Sequence, residues 1–267
     1  MEETVLFTKR DGVALVTMNR PAAYNALNLA LMRALVEAFQ RTADDPGVRA
    51  VVLTGSGAAF CAGGDMKEAG DRLAVGAPAH FRELTKFLHR LVSDLRLLPK
   101  PVVAAVNGPA AGAGFSLAMA CDLRIMSDKG SFKQAYTSIG LCPDGGWSLT
   151  VPTAIGLARA SELVFLDQKL PAQQCLEWGL VTRVVPHDLV MDEAMAMAKR
   201  LAGGPLASFA RAKELLNASL YGRLDSHLEL ERQALMRSAG TPYFAEGAAA
   251  FTAKRDPDYS TIDVKER

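Results

Sequence analysis

The sequence predicts an α/β fold in which a buried, largely parallel sheet is built first and helices alone complete the chain. Three observations carry that expectation. Short apolar runs at 48–53, 102–106 and 123–126 have the length and composition of strands covered on both faces. Amphipathic helical patterns separate them, as crossover connections between parallel strands require. After residue 155 the pattern is helical almost throughout.

Taken in order, residues 3–9 and 12–18 read as a hairpin turning at Asp11-Gly12. Asn28 is a good N-cap, and apolar residues at 31, 35, 36 and 39 give the helix that runs from it to about Asp44 one buried stripe. The strand at 48–53 leads into a loop over 54–65. A helix over 78–97 precedes the strand at 102–106, a Gly/Ala loop, a helix from about Ala113 and the strand at 123–126. Helices are then expected over 156–165, 172–178, 188–202, 205–220, 224–238 and 242–253, with one short strand at 182–185. A core over 1–200 and a helical C-terminal region over 201–267 is the expected division.

Composition narrows the function. The 267 residues suit one large domain, or one domain with an appendage. Thirty Lys and Arg stand against twenty-nine Asp and Glu, and a net charge of +1 argues against a dedicated nucleic-acid-binding face while leaving room for one small basic pocket. The cysteines at 61, 121, 142 and 175 and the histidines at 80, 89, 187 and 227 show no zinc-ligand or CxxC spacing. No metal site is therefore expected, and the setting is reducing and cytoplasmic. The start, Met1-Glu2-Glu3-Thr4, is acidic and has no signal-peptide character. Residues 101–121 carry no charge, but Asn107-Gly108-Pro109, Gly112 and Gly114 interrupt them. A buried strand followed by a buried helix fits better there than a membrane span.

Two loops concentrate glycine beside a strand end and a helix start. Each is either a tight turn or a place where bare backbone N–H groups face a ligand oxygen. A dinucleotide fingerprint is excluded, because Leu117 and Phe60 stand where Gly112-x-Gly114 and Gly55-x-Gly57 would need a third glycine. No Walker lysine is present. Gly114-Phe115-Ser116-Leu117-Ala118 is a poor nucleophile elbow, since Ser116 lies about ten residues past its strand instead of at the strand-to-helix turn.

Together the loops resemble those of the crotonase (enoyl-CoA hydratase/isomerase) superfamily. Phe60-Cys61-Ala62-Gly63-Gly64-Asp65-Met66-Lys67 is similar to its first oxyanion segment, and residues 105–118 with Cys121-Asp122 to its second. Asn19-Arg20-Pro21, Asn25-Ala26-Leu27-Asn28, Gly179-Leu180-Val181, Val184-Val185 and Phe251-x-x-Lys254-Arg255 match in order along nearly the whole chain. The resemblance implies a spiral of ββα turns with a C-terminal helical region that builds homotrimers or dimers of trimers. It implies an acyl-CoA thioester substrate, with no separate cofactor, because coenzyme A is part of that substrate. It assigns the two N–H groups that hold the thioester oxygen of the enolate to Ala62 and Ala113. Donors so aimed are worth about 2.7–4 kcal/mol each. Ala22, Ala23 and Tyr24 would line the adenine pocket, and Gly63, Gly64 and Asp65 the substrate side of the first loop. Lys254 would reach the CoA phosphates of this subunit or a neighbouring one, or stand as a solvated lysine.

The chain departs from the hydratases at both of their acids: Ser116 and Tyr136 occupy those positions. One acid remains in Ile139-Gly140-Leu141-Cys142-Pro143-Asp144-Gly145-Gly146. The resemblance to isomerase-type members makes Asp144 a general base moving a proton from C2 to C4; the plainer reading is a helix N-cap. An aryl-CoA dehalogenase would use Asp144 to attack the ring, with a tryptophan at 136 and a histidine at 89. Here the tryptophan is absent, and His89 on a helix reads more simply as surface or packing. A hydratase-like enzyme of altered chemistry, or a homologue that binds CoA esters without turning them over, completes the alternatives. Since each missing acid or base is worth about 10²–10⁴-fold, crotonyl-CoA should be hydrated orders of magnitude more slowly than by a two-glutamate hydratase. Fast steady-state hydration in a spectrophotometric assay would contradict that reading.

Overall fold

Alternation along the strands decides how the molecule is layered. The computed structural model describes residues 3–71 and 76–262; residues 263–267 of the expected C-terminal region lie outside them. Strands β1 (Val5–Arg10) and β2 (Val13–Met18) form the expected hairpin, with Val5 opposite Met18 and both turn residues, Asp11 and Gly12, at positive φ. Strands β3 (Ala50–Gly55), β4 (Val102–Val106), β6 (Leu123–Ser127) and β9 (Arg183–Val185) add in parallel, giving the order β1-β2-β3-β4-β6-β9.

One set of alternating residues, Val13, Ala50, Val52, Val103, Ala105 and Ile125, faces α8 (Val190–Ala202). That helix answers with Val190, Ala194, Ala198 and Ala202, small residues four apart that let it lie close to the sheet. The other set, including Val16, Val51, Leu53, Val102, Ala104 and Met126, is buried in the main core with α1 (Leu29–Asp44) and α3 (Ala77–Leu97). Each buried Val or Leu stabilises the fold by about 1.5–3 kcal/mol, so a strand covered twice must be apolar along its length. Asn28 caps α1 as expected, its Oδ1 accepting the Leu31 N–H at 2.9 Å.

Three very short strands escape the sequence pattern. β5 (Pro109–Ala111), β7 (Ser131–Lys133) and β8 (Leu170–Pro171) form a second sheet, and strands of two or three residues show no period. One helix lies outside the expected set, α2 (Met66–Asp71), while α5 (Trp147–Ile155), which follows Gly145-Gly146 and contains Pro152, is the helix that an N-cap reading of Asp144 implies. The charge-free stretch 101–121 is β4, β5 and α4 (Ala113–Ala120), buried almost throughout. No helix among the described residues is long and apolar enough to cross a membrane.

The later helices are α6 (Leu157–Leu166), α7 (Ala172–Glu177), α9 (Leu206–Tyr221), α10 (Leu224–Ala239) and α11 (Pro242–Ala253). Of their apolar residues, Leu228 joins the main core, while Leu235 and Phe244 close a smaller cluster with Phe81, Tyr136 and Leu141. Leu215, Leu216 and Phe251 stay exposed. Buried charge ties α9 down: Lys213 Nζ donates to Asp122 Oδ2 at 2.8 Å, and Arg96 donates to Asn217 Oδ1 at 2.6 Å. Burial lowers the pKa of Lys213, opposed by the Asp122 carboxylate that it pairs with.

Candidate active site

The site is a cavity of about 740 Å³ between the two glycine loops, α3 and α10. The loops touch backbone to backbone. A Cβ on Gly114 would lie 2.2 Å from the Cys61 carbonyl oxygen, and one on Gly63, at φ +93°, 2.8 Å from that of Ala111. Only glycine fits either position.

Hydrogen bonding decides which N–H groups face the cavity. Ala113 is the first residue of α4, so its N–H has no acceptor within the helix, and it lines the cavity as expected. The donor expected at Ala62 is corrected: its N–H is bound to the Tyr24 carbonyl at 3.0 Å. Two residues on, Leu27 donates to the Gly63 carbonyl at 2.7 Å and accepts from the Asp65 N–H at 3.0 Å. This parallel bridge turns the Gly64 N–H to the opposite side, where no acceptor among the described residues takes it and the residue lines the cavity. Gly64 therefore replaces Ala62 as partner to Ala113. Burial pushes the Cys61 thiol up to about 12, which makes it inert.

Asp144 lies against this same cavity and is 2% exposed. Its backbone carbonyl accepts from Ser116 Oγ at 2.6 Å and from Tyr136 OH at 3.1 Å. The two residues at the hydratase acid positions thus clamp the main chain of the third acid. Burial, reinforced by the nearby Asp144 carboxylate, raises the Tyr136 pKa, so the phenol keeps its proton and donates.

The N-cap reading of Asp144 is also corrected. Gly146 is the N-cap of α5, and the Asp144 carboxylate instead meets His89 Nε2 on α3 at 2.7 Å. His89 is thus a partner of the acid and not a packing residue. The capping is done from α10 by Glu231, whose oxygens accept the Gly146 N–H at 2.6 Å and the Ser148 N–H at 3.0 Å. No sequence signal near residue 146 points to a glutamate 85 positions away.

Ala22, Ala23 and Tyr24 line the mouth of the cavity, as do Gly63 and Asp65. Asp65 pairs with Arg20 at 2.9 Å and caps α2 through the Glu68 N–H, so its charge is committed. Lys67 and Lys133 also line the cavity. Lys254 does not: it caps α11 in the left-handed region and is exposed, while Phe251, one turn earlier, reaches the cavity.

Comparison with known proteins shows the family and the fold. Residues 8–261 match the family model for enoyl-CoA hydratase/isomerase. The chain is 35% identical to the 1,2-epoxyphenylacetyl-CoA isomerase of Escherichia coli K12, over 97% of this chain and 99% of that protein. It is also 35% identical to 4-chlorobenzoyl coenzyme A dehalogenase-2 of an Arthrobacter species, over 91% of this chain and 88% of the relative. Among solved structures it resembles an enoyl-CoA hydratase from Mycobacterium avium subsp. paratuberculosis, with a TM-score of 0.87 and 37% identity over 97% of this chain and 99% of that one.

Burial, then the Asp144 charge, raises the Glu231 pKa to about 7 from 4.5. The folded chain therefore holds this proton where the unfolded chain has lost it, and stability falls as pH climbs from 4.5 towards 7. Glu231→Gln should flatten that fall in urea unfolding across the window. An unchanged slope would mean that Glu231 does not titrate there.

Proposed function

This chain belongs to the enoyl-CoA hydratase/isomerase family, and on that premise we propose that it is an enoyl-CoA isomerase with Asp144 as its single acid and base. The Gly64 and Ala113 N–H groups hold the thioester oxygen, which stabilises the enolate formed when a proton leaves C2. Asp144 accepts that proton and returns it at C4. The acyl chain lies among Phe81, Leu84, Leu88, Leu141 and Leu235, which line the cavity around the acid. The CoA portion runs out past the backbone of Ala22, Ala23 and Tyr24, with Lys67 and Lys133 near its phosphates. Lys254 suits a phosphate role only by reaching the cavity of a neighbouring copy.

The observation that carries this reading is that, of the two carboxylates lining the cavity among the described residues, Asp65 is paired with the Arg20 guanidinium, whereas Asp144 meets only the His89 imidazole. The positions of two further acids are occupied by hydroxyl groups that hold the Asp144 carbonyl. A single carboxylate suits transfer of a proton between two carbons of one substrate, whereas hydration divides the work between two.

The contact of His89 with Asp144 and the dehalogenase relative favour a second reading, aryl-CoA dehalogenation with Asp144 attacking the ring. Against it, Tyr136 stands where that chemistry places an indole. Among the described residues the aromatic side chains lining the cavity are Tyr24, Phe81, Tyr136 and Phe251, with no tryptophan among them.

Asp144→Asn keeps the side-chain shape and leaves the α5 cap, which is Glu231, untouched. Isomerisation of a 3-enoyl-CoA should fall at least about a hundredfold, while a CoA ester still binds and unfolding changes little. Retention of near-wild-type turnover would remove Asp144 from the mechanism.

The same reading proposes a homotrimer or a dimer of trimers, with Leu215, Leu216 and Leu220 of α9 covered by another copy. Light scattering at micromolar concentration should give three or six times the 28.5 kDa chain mass. A monomer would refute it.

A further inference from the structure

After β7 the chain bends to bring Tyr136 into the cavity wall, and Ala135 makes that bend at φ +55°. An alanine is disfavoured there, because its Cβ crowds the following carbonyl oxygen. Lys133, Ala135 and Tyr136 all line the substrate cavity. The end of α6 holds this bend from behind. Asp167, the residue that follows α6, accepts the Ala135 N–H on Oδ1 at 2.7 Å, and its Oδ2 lies 3.3 Å from Lys133 Nζ. One turn earlier, the Val164 carbonyl accepts from Thr137 Oγ1 at 2.8 Å and from Gln134 Nε2 at 3.3 Å. Gln134 Oε1 in turn takes the Tyr136 N–H at 2.9 Å. Asp167 itself does not line the cavity, and its side chain is 9% exposed.

We propose that Asp167 is a positioning residue for the isomerisation: by holding Ala135 in its left-handed conformation it sets the Tyr136 phenol on the Asp144 carbonyl, and through it the base. The inference rests on Asp144 being that base. Tyr136, at 3.1 Å, and Ser116, at 2.6 Å, are the two side-chain donors to the Asp144 carbonyl. Without the Asp167 oxygen, Ala135 gains by turning towards the ordinary negative-φ regions. That rotation swings the chain after it and draws the phenol off the Asp144 carbonyl. The acid is then held by one donor fewer, and a base out of line with its carbon loses rate more than it loses binding. Asp167 touches no substrate atom, so its effect runs through Ala135 and Tyr136.

The test is steady-state isomerisation of a 3-enoyl-CoA by variants at these three positions, with thermal unfolding measured alongside. Asp167→Ala should lower kcat by about tenfold, in line with the penalty of a left-handed alanine that nothing holds. Asp167→Asn keeps an oxygen for the Ala135 N–H and removes only the charge facing Lys133, so it should restore most of kcat. Glycine enters the left-handed region without strain, so Ala135→Gly added to Asp167→Ala should also bring kcat back towards wild type. In a Tyr136→Phe background, Asp167→Ala should cost little more, because the contact through which it acts is already gone. A purely structural aspartate, capping α6 and pairing with Lys133, would show none of this pattern. The proposal is overturned by wild-type kcat in Asp167→Ala, by an equal loss of kcat in Asp167→Asn, or by failure of the glycine to restore it. An undiminished effect in the Tyr136→Phe background also overturns it. Should Asp167→Ala not fold, Asp167→Asn and the glycine double variant decide alone, and a tenfold loss of kcat in either one refutes the proposal. Failure of the underlying reading shows in a different variant, Asp144→Asn, which would then keep near-wild-type turnover.

Discussion

A Cβ on residue 114 would sit 2.2 Å from the Cys61 carbonyl oxygen, and one on residue 108 equally close to that of Ala58. These contacts press the loop after β3 against the loop after β4 with no side chain between them. Cys61 bridges Ala110 in the register of a parallel ladder, so the two loops are fixed relative to each other by main-chain hydrogen bonds. From that rigid seam the Gly64 N–H and the free N–H of the first residue of α4 emerge into one cavity. Preorganised donors act because they need no rearrangement when charge develops. The glycines are thus a packing requirement first, and the pair of cavity-facing N–H groups follows from it.

The acid is held by a different device. A buried carboxylate on a loop must find partners or raise the free energy of the fold. The Asp144 carboxylate finds His89 from α3, while the turn around it is held by Ser116 from α4 and Tyr136 from the segment after β7, both on the Asp144 carbonyl, and by Glu231 from α10 on the Gly146 N–H. Gly145 and Gly146, both left-handed, allow the chain to reverse within this shell, and a Cβ on Gly145 would press on Ser116 at 3.0 Å. Loss of the two hydratase acids and retention of Asp144 are therefore one structural fact, since the replacements support the acid that remains.

The sheet was legible because strands buried on both faces must be apolar, and the helices because their stripes recur at the helical period. The glycine loops and Asp144 were legible as well. What escaped depends on direction or distance. The motif points to Ala62 as a donor, yet along an extended backbone successive N–H groups point to opposite sides, and which of them faces the cavity is set by Leu27, 37 residues away from Gly64. The partner of Asp144 at His89 is 55 positions off and the cap of α5 85 positions off. A histidine on a helix and a glutamate on another carry no mark of such partners. Leu228, Leu235 and Phe244 show the same limit: an apolar face says that it will be covered, not by which chain.

Glu231 also bears on why one acid is enough to define the chemistry. It lies just behind the 144–146 turn but does not line the cavity, and its oxygens are taken by the Gly146 and Ser148 N–H groups. Burial keeps it protonated up to about pH 7. It cannot stand in for a missing hydratase glutamate, because it reaches no substrate atom and its lone pairs are occupied. Nor does it place a full second negative charge against Asp144 below neutrality. The cavity therefore presents one buried carboxylate, partnered by His89, beside two backbone donors, and the proposed movement of a proton along a bound substrate rests on that asymmetry.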